Sequence, residues 1–127
     1  MANVPQDLRY TAKHEYVQDA GDGVFAVGIT DYAQGELGDI VFVELPKPGA
    51  RFEAMQAFGT IEAVKAVSDL FSPIGGEVVE ANDALDADPA KVNSDPYGDG
   101  WMIKIRADDP SAVEKLLDAA AYEKLIG

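Results

Sequence analysis

From position 15 to position 106 the chain is cut into short apolar runs rich in β-branched and aromatic residues. Clusters of Gly, Asp, Asn or Pro stop each run after a few positions. Such punctuation leaves no room for long helices and predicts a core built from short strands. Tyr16-Val17 and residues 24–29 flank the Gly/Asp cluster 18–23 and read as a hairpin. Thr30-Asp31 offers an N-cap to a short helix over 32–37, with Gly38 as its left-handed stop. Residues 40–45 form a strand that ends at Pro46-Lys47-Pro48-Gly49, because proline donates nothing to a ladder. Further strands are predicted at 57–64, 76–80 and 101–106. In the last of these Trp101, Ile103 and Ile105 share one face, and Met102, Lys104 and Arg106 share the other. Residues 81–100, rich in Asn, Asp, Pro and Gly, read as a long surface loop. The final stretch, 110–126, has helical spacing at Val113, Leu116, Leu117, Ala120, Ala121 and Leu125. Asp109 or Ser111 caps it, Ser111 with Glu114 as a capping box.

A chain of 127 residues fits one domain, so 1–127 reads as a single all-β-dominated unit with a short internal helix and a C-terminal helix. The absence of cysteine removes disulfides, thiolate metal sites and cysteine nucleophiles. With His14 the sole histidine, His-cluster metal sites are excluded, and a Ser–His–Asp triad is possible only with His14 as base. A formal charge of −13, with ten scattered cations, argues against nucleic acid. No apolar run approaches the roughly 20 residues that span a bilayer, and the first ten residues lack signal or transit character.

Lys65 lies between small or β-branched neighbours, a placement that suits the tip of a hairpin with the lysine stem in water. Acylating a lysine amine would need an activated acyl donor and a dedicated ligase. The residues alone leave it a solvated turn lysine, with Glu62 and Asp69 as solubilising charges.

The surrounding residues carry a resemblance. Glu62-Ala63-Val64-Lys65-Ala66-Val67-Ser68-Asp69, followed by Ser72-Pro73 and Gly76-Glu77-Val78, resembles the lipoyl-attachment motif of the glycine cleavage system H protein family. Tyr10, His14-Glu15, the run Val27-Gly28-Ile29-Thr30-Asp31-Tyr32-Ala33-Gln34, the run from Leu37 to Pro46 and the block from Val92 to Met102 extend the likeness over nearly the whole chain. The resemblance implies a barrel-sandwich hybrid of two small antiparallel sheets with Lys65 at a hairpin turn. It implies a carrier without catalytic residues and without a metal, bearing lipoate on Lys65 as N6-lipoyllysine. Its arm would take an aminomethyl group from the pyridoxal-phosphate glycine decarboxylase to the tetrahydrofolate-dependent aminomethyltransferase. Dihydrolipoamide dehydrogenase would then reoxidise it. Glu15 and Asp69 match family positions that line a cleft for the loaded arm, where a carboxylate holds the cationic nitrogen by a charge-assisted hydrogen bond. Glu62, Gly76 and Gly49 match positions implicated in recognition by the lipoylating enzyme. Tyr16 replaces the family's usual tryptophan and adds a hydroxyl that needs a partner. Glu36 stands where some members carry a histidine, and Ala90-Lys91 replaces a common Glu-Leu.

A biotinyl carrier is the nearest rival, but biotin acceptors favour methionine on both sides of the lysine, and here stand Val64 and Ala66. Lipoyl domains of 2-oxoacid dehydrogenases lack the block from Ile29 to Gln34. An H-like lipoyl relay or donor would use the same lysine. Asp86, Asp88, Asp95 and Asp99 crowd the loop as paired hydrolase carboxylates could, but they read as solvated charges with Asp95-Pro96 a turn signal. A calcium site there fails the Asp-x-Asp-x-Asp-Gly spacing. The expected protein is a monomer of the bacterial cytoplasm whose acidic surface speeds reversible docking. Transfer from the decarboxylase should therefore slow as ionic strength rises at fixed carrier concentration. Rates indifferent to salt would remove the electrostatic contribution.

Overall fold

The computed structural model describes residues 3–127. Its strands, in chain order, are β1 (Arg9–Tyr10), β2 (Glu15–Gly21), β3 (Val24–Ile29), β4 (Ile40–Glu44), β5 (Arg51–Phe52), β6 (Ala57–Ala63), β7 (Val67–Phe71), β8 (Gly76–Ala81) and β9 (Ile103–Ala107). They form two antiparallel sheets, β1-β2-β3-β9-β8-β5 and β4-β6-β7. Neither sheet closes on itself. Their inner faces share one core, in which Val27, Val43, Ile61, Leu70, Val78, Ile103 and Ile105 are almost wholly buried. This is the β-dominated fold with helical accents that the spacing of short apolar runs predicts, and its two antiparallel sheets are what the resemblance implies.

Local chemistry explains the elements that hold. The β2–β3 hairpin turns through Asp22 and Gly23, both with positive φ (56° and 77°), as a two-residue turn matching strand twist requires. Helix α1 (Asp31–Leu37) starts where the Thr30 side chain accepts from the Ala33 N–H, and ends at Gly38. The first half of β2 is covered on both faces. Val17 points into the main core, while Tyr16 joins Leu8, Tyr10, Ala119 and Tyr122 in a second cluster. The Tyr16 hydroxyl that replaces an indole finds its partner in the Pro96 carbonyl at 2.6 Å.

Three expectations need correction. Residues 81–100 are not a long loop. Strand β8 runs to Ala81, and two single-turn helices follow, α2 (Ala84–Ala87) and α3 (Lys91–Ser94), burying Leu85 and Val92. One apolar residue per turn is too sparse to show a period, and the polar residues taken as loop signals are ties. The Asn93 side chain accepts from the Ile40 N–H and donates to the Gly38 carbonyl and to Gln34, while the Asn82 amide donates to the Asp99 and Trp101 carbonyls.

Strand β9 begins only at Ile103. Ile103 and Ile105 are buried as the alternation predicts, but Met102, ahead of the ladder, is buried too, and Lys104 Nζ lies 4.8 Å from the Trp101 ring centre. The alternation fails there because the two residues before the strand are held by other bonds: the Met102 N–H donates to the Val27 carbonyl, and its carbonyl accepts from Asn82.

The helix expected over 110–126 is broken in two. Pro110–Lys115 is a 3₁₀ turn capped by Asp109, and α4 (Ala119–Ile126) is capped by Asp118. Between them Leu117 exchanges both backbone hydrogen bonds with Tyr10. That bridge resets the helical phase, so Ala119 and Tyr122 are buried whereas Leu125 is half exposed. Among the described residues, no helix is long and apolar enough to cross a membrane.

Candidate functional site

Strands β6 and β7 form the hairpin that carries Lys65. The Ala63 N–H donates to the Ala66 carbonyl at 2.8 Å and closes the turn around Val64 and Lys65. The Val64 N–H donates to the Asp39 carbonyl, tying the tip to the segment after α1. Both anchoring bonds are backbone bonds, so the position of the turn does not depend on the lysine side chain. Lys65 is exposed, its stem passing close to Gly38, and Val64 and Val67 beside it are 73 % and 67 % exposed.

A cleft of about 250 Å³ opens beside this hairpin. One wall is β7 (Ser68, Asp69, Leu70) with Ile61 of β6. The second is α1 (Tyr32, Ala33, Glu36, Leu37). The third comes from Ile29 and from Lys13, His14 and Glu15, where the chain enters β2. Glu15 and Asp69, fifty-four positions apart in the chain, thus meet in one cavity. Asp69 is an exposed residue paired with Thr60. Glu15 is 2 % exposed. Its Oε1 accepts from the Thr11 hydroxyl at 2.6 Å, and its Oε2 accepts a longer bond from the Phe71 N–H.

Burial outweighs those hydrogen bonds and the nearby Lys13, and pushes the Glu15 carboxyl up to about 7. An acid whose affinity for its proton is higher folded than unfolded stabilises the fold while protonated. That contribution is complete below about 4.5 and is lost as pH rises through about 7. At about 1.4 kcal/mol for each tenfold change in proton affinity, the span amounts to roughly 3 kcal/mol. Glu15→Gln keeps an acceptor for Thr11 and removes the titration. Its unfolding free energy, measured by denaturant between pH 4.5 and 7.5, should lose the decline with pH that the parent chain shows. An unchanged slope would place the titration elsewhere.

The remaining predicted residues divide between two places. Glu62 is exposed on β6, pairing with Phe42 on one side and Val67 on the other. Gly76 and Gly49 belong instead to the larger sheet. Gly76 is buried at the start of β8, where a Cβ would overlap the Arg106 carbonyl oxygen. Gly49, at φ 98°, turns the chain into β5 with its N–H donating to the Val78 carbonyl. Both glycines therefore have a backbone reason to be glycine.

Sequence reasoning did not single out His14, Tyr32 or Ser68 as cleft residues. His14 has a positive φ of 71°, uncommon for a residue with a side chain, and its ring lies 5.0 Å from that of Tyr32. The available signal was adjacency to Glu15, and the helical face of α1 that puts Tyr32 and Glu36 one turn apart. Glu36 does line the cleft, where it accepts from the Tyr32 hydroxyl. Chemically, the cleft sets the apolar side chains of Ile29, Ala33, Leu37, Ile61 and Leu70 beside the carboxyl groups of Glu15 and Asp69, a lining suited to an apolar arm with a cationic head.

The family model described as "Glycine cleavage H-protein" matches residues 8–127. The chain is 61 % identical over 126 residues to the glycine cleavage system H protein of Chlorobium phaeobacteroides, with 98 % of each chain covered. It is 57 % identical to that of Alteromonas mediterranea, covering 99 % of this chain and 98 % of the relative. Among solved structures, the glycine cleavage system H protein from Mycobacterium marinum superposes with a TM-score of 0.89 at 41 % identity, covering 98 % of this chain and 99 % of that one.

Proposed function

Because the chain belongs to the glycine cleavage H-protein family, a family of lipoyl carriers, we propose that Lys65 is the residue acylated by lipoate and that the cleft beside it receives the arm's head group. The chain works as the carrier component of the glycine cleavage system. Lipoate, when bound, supplies a dithiolane that accepts and releases an aminomethyl group and cycles between disulfide and dithiol. This chain's own residues do not perform that chemistry. Lys65 tethers, and the hairpin holds the tether clear of both sheets, which keeps the reactive end at high local concentration.

The observation that carries this reading is the pairing of an exposed hairpin lysine with an adjacent cleft that is apolar along its walls and acidic at Glu15 and Asp69. Such a lining fits an aliphatic arm with a cationic end and shields that end from water. Within it, Glu15 and Asp69 orient the head group, and the carrier has no catalytic residue of its own. Glu62, exposed three residues before Lys65, is the side chain a lipoylating enzyme can touch. Gly76 and Gly49 contribute to that recognition through the backbone they shape. The partners are the pyridoxal-phosphate decarboxylase, the aminomethyltransferase, dihydrolipoamide dehydrogenase and the lipoylating enzyme. The chain is a single carrier domain over 1–127 and acts as a monomer in the bacterial cytoplasm.

Intact mass and peptide mapping of chain produced in a lipoylating host should find one lipoyl adduct, on Lys65. The lipoylated chain, and not the unmodified one, should support glycine–bicarbonate exchange with the decarboxylase. An adduct on another lysine, a biotinyl mass, or exchange by the unmodified chain would overturn the proposal.

A further inference from the structure

His14, the only histidine in the chain, sits on the cleft wall at the end of a buried hydroxyl chain. Thr30 Oγ1 and the Tyr122 hydroxyl are 2.7 Å apart, and the Tyr122 hydroxyl and His14 Nδ1 are 2.9 Å apart. Neither distance states which atom donates, but the rest of the network does. The Thr30 hydroxyl oxygen already accepts the Ala33 N–H as the N-cap of α1. Thr30 is completely buried, so its own proton needs an acceptor, and the only one bonded to it is the Tyr122 oxygen. Tyr122, also fully buried, must then send its proton onward to His14 Nδ1. An imidazole that accepts at Nδ1 and is uncharged carries its proton on Nε2.

We infer that Thr30 and Tyr122 are positioning residues that hold His14 in its neutral, Nε2-protonated form on the cleft wall. Among the described residues Nε2 has no hydrogen-bond partner, and no buried side-chain nitrogen or oxygen lacks one. Nε2–H is therefore open to solvent. Taken with the proposed function, on which this consequence rests, the cleft offers the arm's head group one uncharged donor beside the acceptors Glu15 and Asp69. It adds no cation against a cationic head.

The surroundings agree with a neutral ring. Desolvation lowers the His14 pKa and nearby Lys13 lowers it further, while Glu36 opposes them. The other groups facing the ring are Tyr32 and Tyr122, at centroid distances of 5.0 and 5.8 Å, and neither bears a charge near neutrality. The relay also explains why the C-terminal helix is tied to the cleft. Tyr122 of α4 stacks on Tyr10 at 4.6 Å, and its hydroxyl reaches past that cluster to His14.

Nitrogen-detected or long-range ¹H–¹⁵N spectra of the unmodified chain read this tautomer without overlap, since no second histidine contributes. The expected result is a single neutral form with Nδ1 unprotonated. Tyr122→Phe should give a mixture of both neutral forms and raise the His14 pKa, because a bond to the neutral form is lost. Thr30→Val, which removes the hydroxyl bonded to Tyr122, should also bring in the Nδ1–H form, and Thr30→Ser should restore the parental spectrum. A parental ring protonated on Nδ1, or a tautomer unmoved by both Tyr122→Phe and Thr30→Val in folded protein, would overturn the relay. Lys65→Arg should leave these spectra unchanged, so failure of the carrier proposal and failure of the relay are separable.

Discussion

Lys65→Arg should leave a folded chain that is neither lipoylated nor able to pass aminomethyl groups between its partner enzymes. The turn is closed by Ala63 and Ala66 and tethered by Val64 and Asp39, all through backbone atoms, so the side chain supports nothing. Exposed substitutions of this kind shift stability by no more than about 0.5 kcal/mol. The loss is chemical: a guanidinium stays protonated under all working conditions and does not serve as the acyl acceptor that an amine does, whereas its charge and length are close to the parent's. Intact mass should show no adduct, transfer from the decarboxylase should fall to the rate without carrier, and the melting temperature should be unchanged. Persisting transfer at a substantial fraction of the parental rate would mean that the tether is rooted elsewhere.

Gly76→Ala should be the most damaging single-methyl change among the residues considered. Gly76 pairs with Phe52 on one side and Ala107 on the other, where β8 passes between β5 and β9. A Cβ there would overlap the Arg106 carbonyl oxygen, with the Ile105 side chain next in its way. Backbone cannot swing aside as a side chain can, so the strand must separate from β9 locally. Overpacking in a tight site costs about 1–3 kcal/mol, and a clash with backbone lies at or above the top of that range. A drop of about 3 kcal/mol in unfolding free energy, read from denaturant midpoints, is the expected result. The same experiment divides two roles. If folded Gly76→Ala protein is lipoylated at the parental rate, its glycine serves the sheet alone; if it folds normally and is lipoylated slowly, the enzyme reads this backbone directly. Gly49→Ala provides the contrast, because its Cβ would meet nothing within 4 Å and only the φ of 98° opposes it.

Taken together, the cleft and the relay give the carrier's small core a second task. The second cluster around Tyr10, Tyr16 and Tyr122 covers the outer face of β2. The same strand presents Glu15 to the opposite side, buried and with its proton affinity raised. Alternation along β2 thus places a tyrosine packed against α4 and a buried carboxyl facing the cleft on adjacent residues.

Much of this was legible in the chain. The Asp22-Gly23 turn, the Thr30 cap, the Gly38 stop and the proline-terminated β4 depend on residues close to one another in sequence, and local backbone sterics settle them. The exposed hairpin lysine was readable for the same reason, since small and β-branched neighbours and the Pro73 and Gly75-Gly76 punctuation are local facts. What the sequence could not decide was whatever depends on distant partners. The phase of α4 is set by a bridge from Leu117 to Tyr10, across more than a hundred residues. The helices α2 and α3 exist because Leu85 and Val92 reach the core, and the raised proton affinity of Glu15 comes from its burial. The His14-Glu15 pair, Asp69 and Tyr122, from three segments, come together only when the sheets pack, because desolvation and hydrogen-bond direction are properties of the packed surroundings and not of the residues themselves.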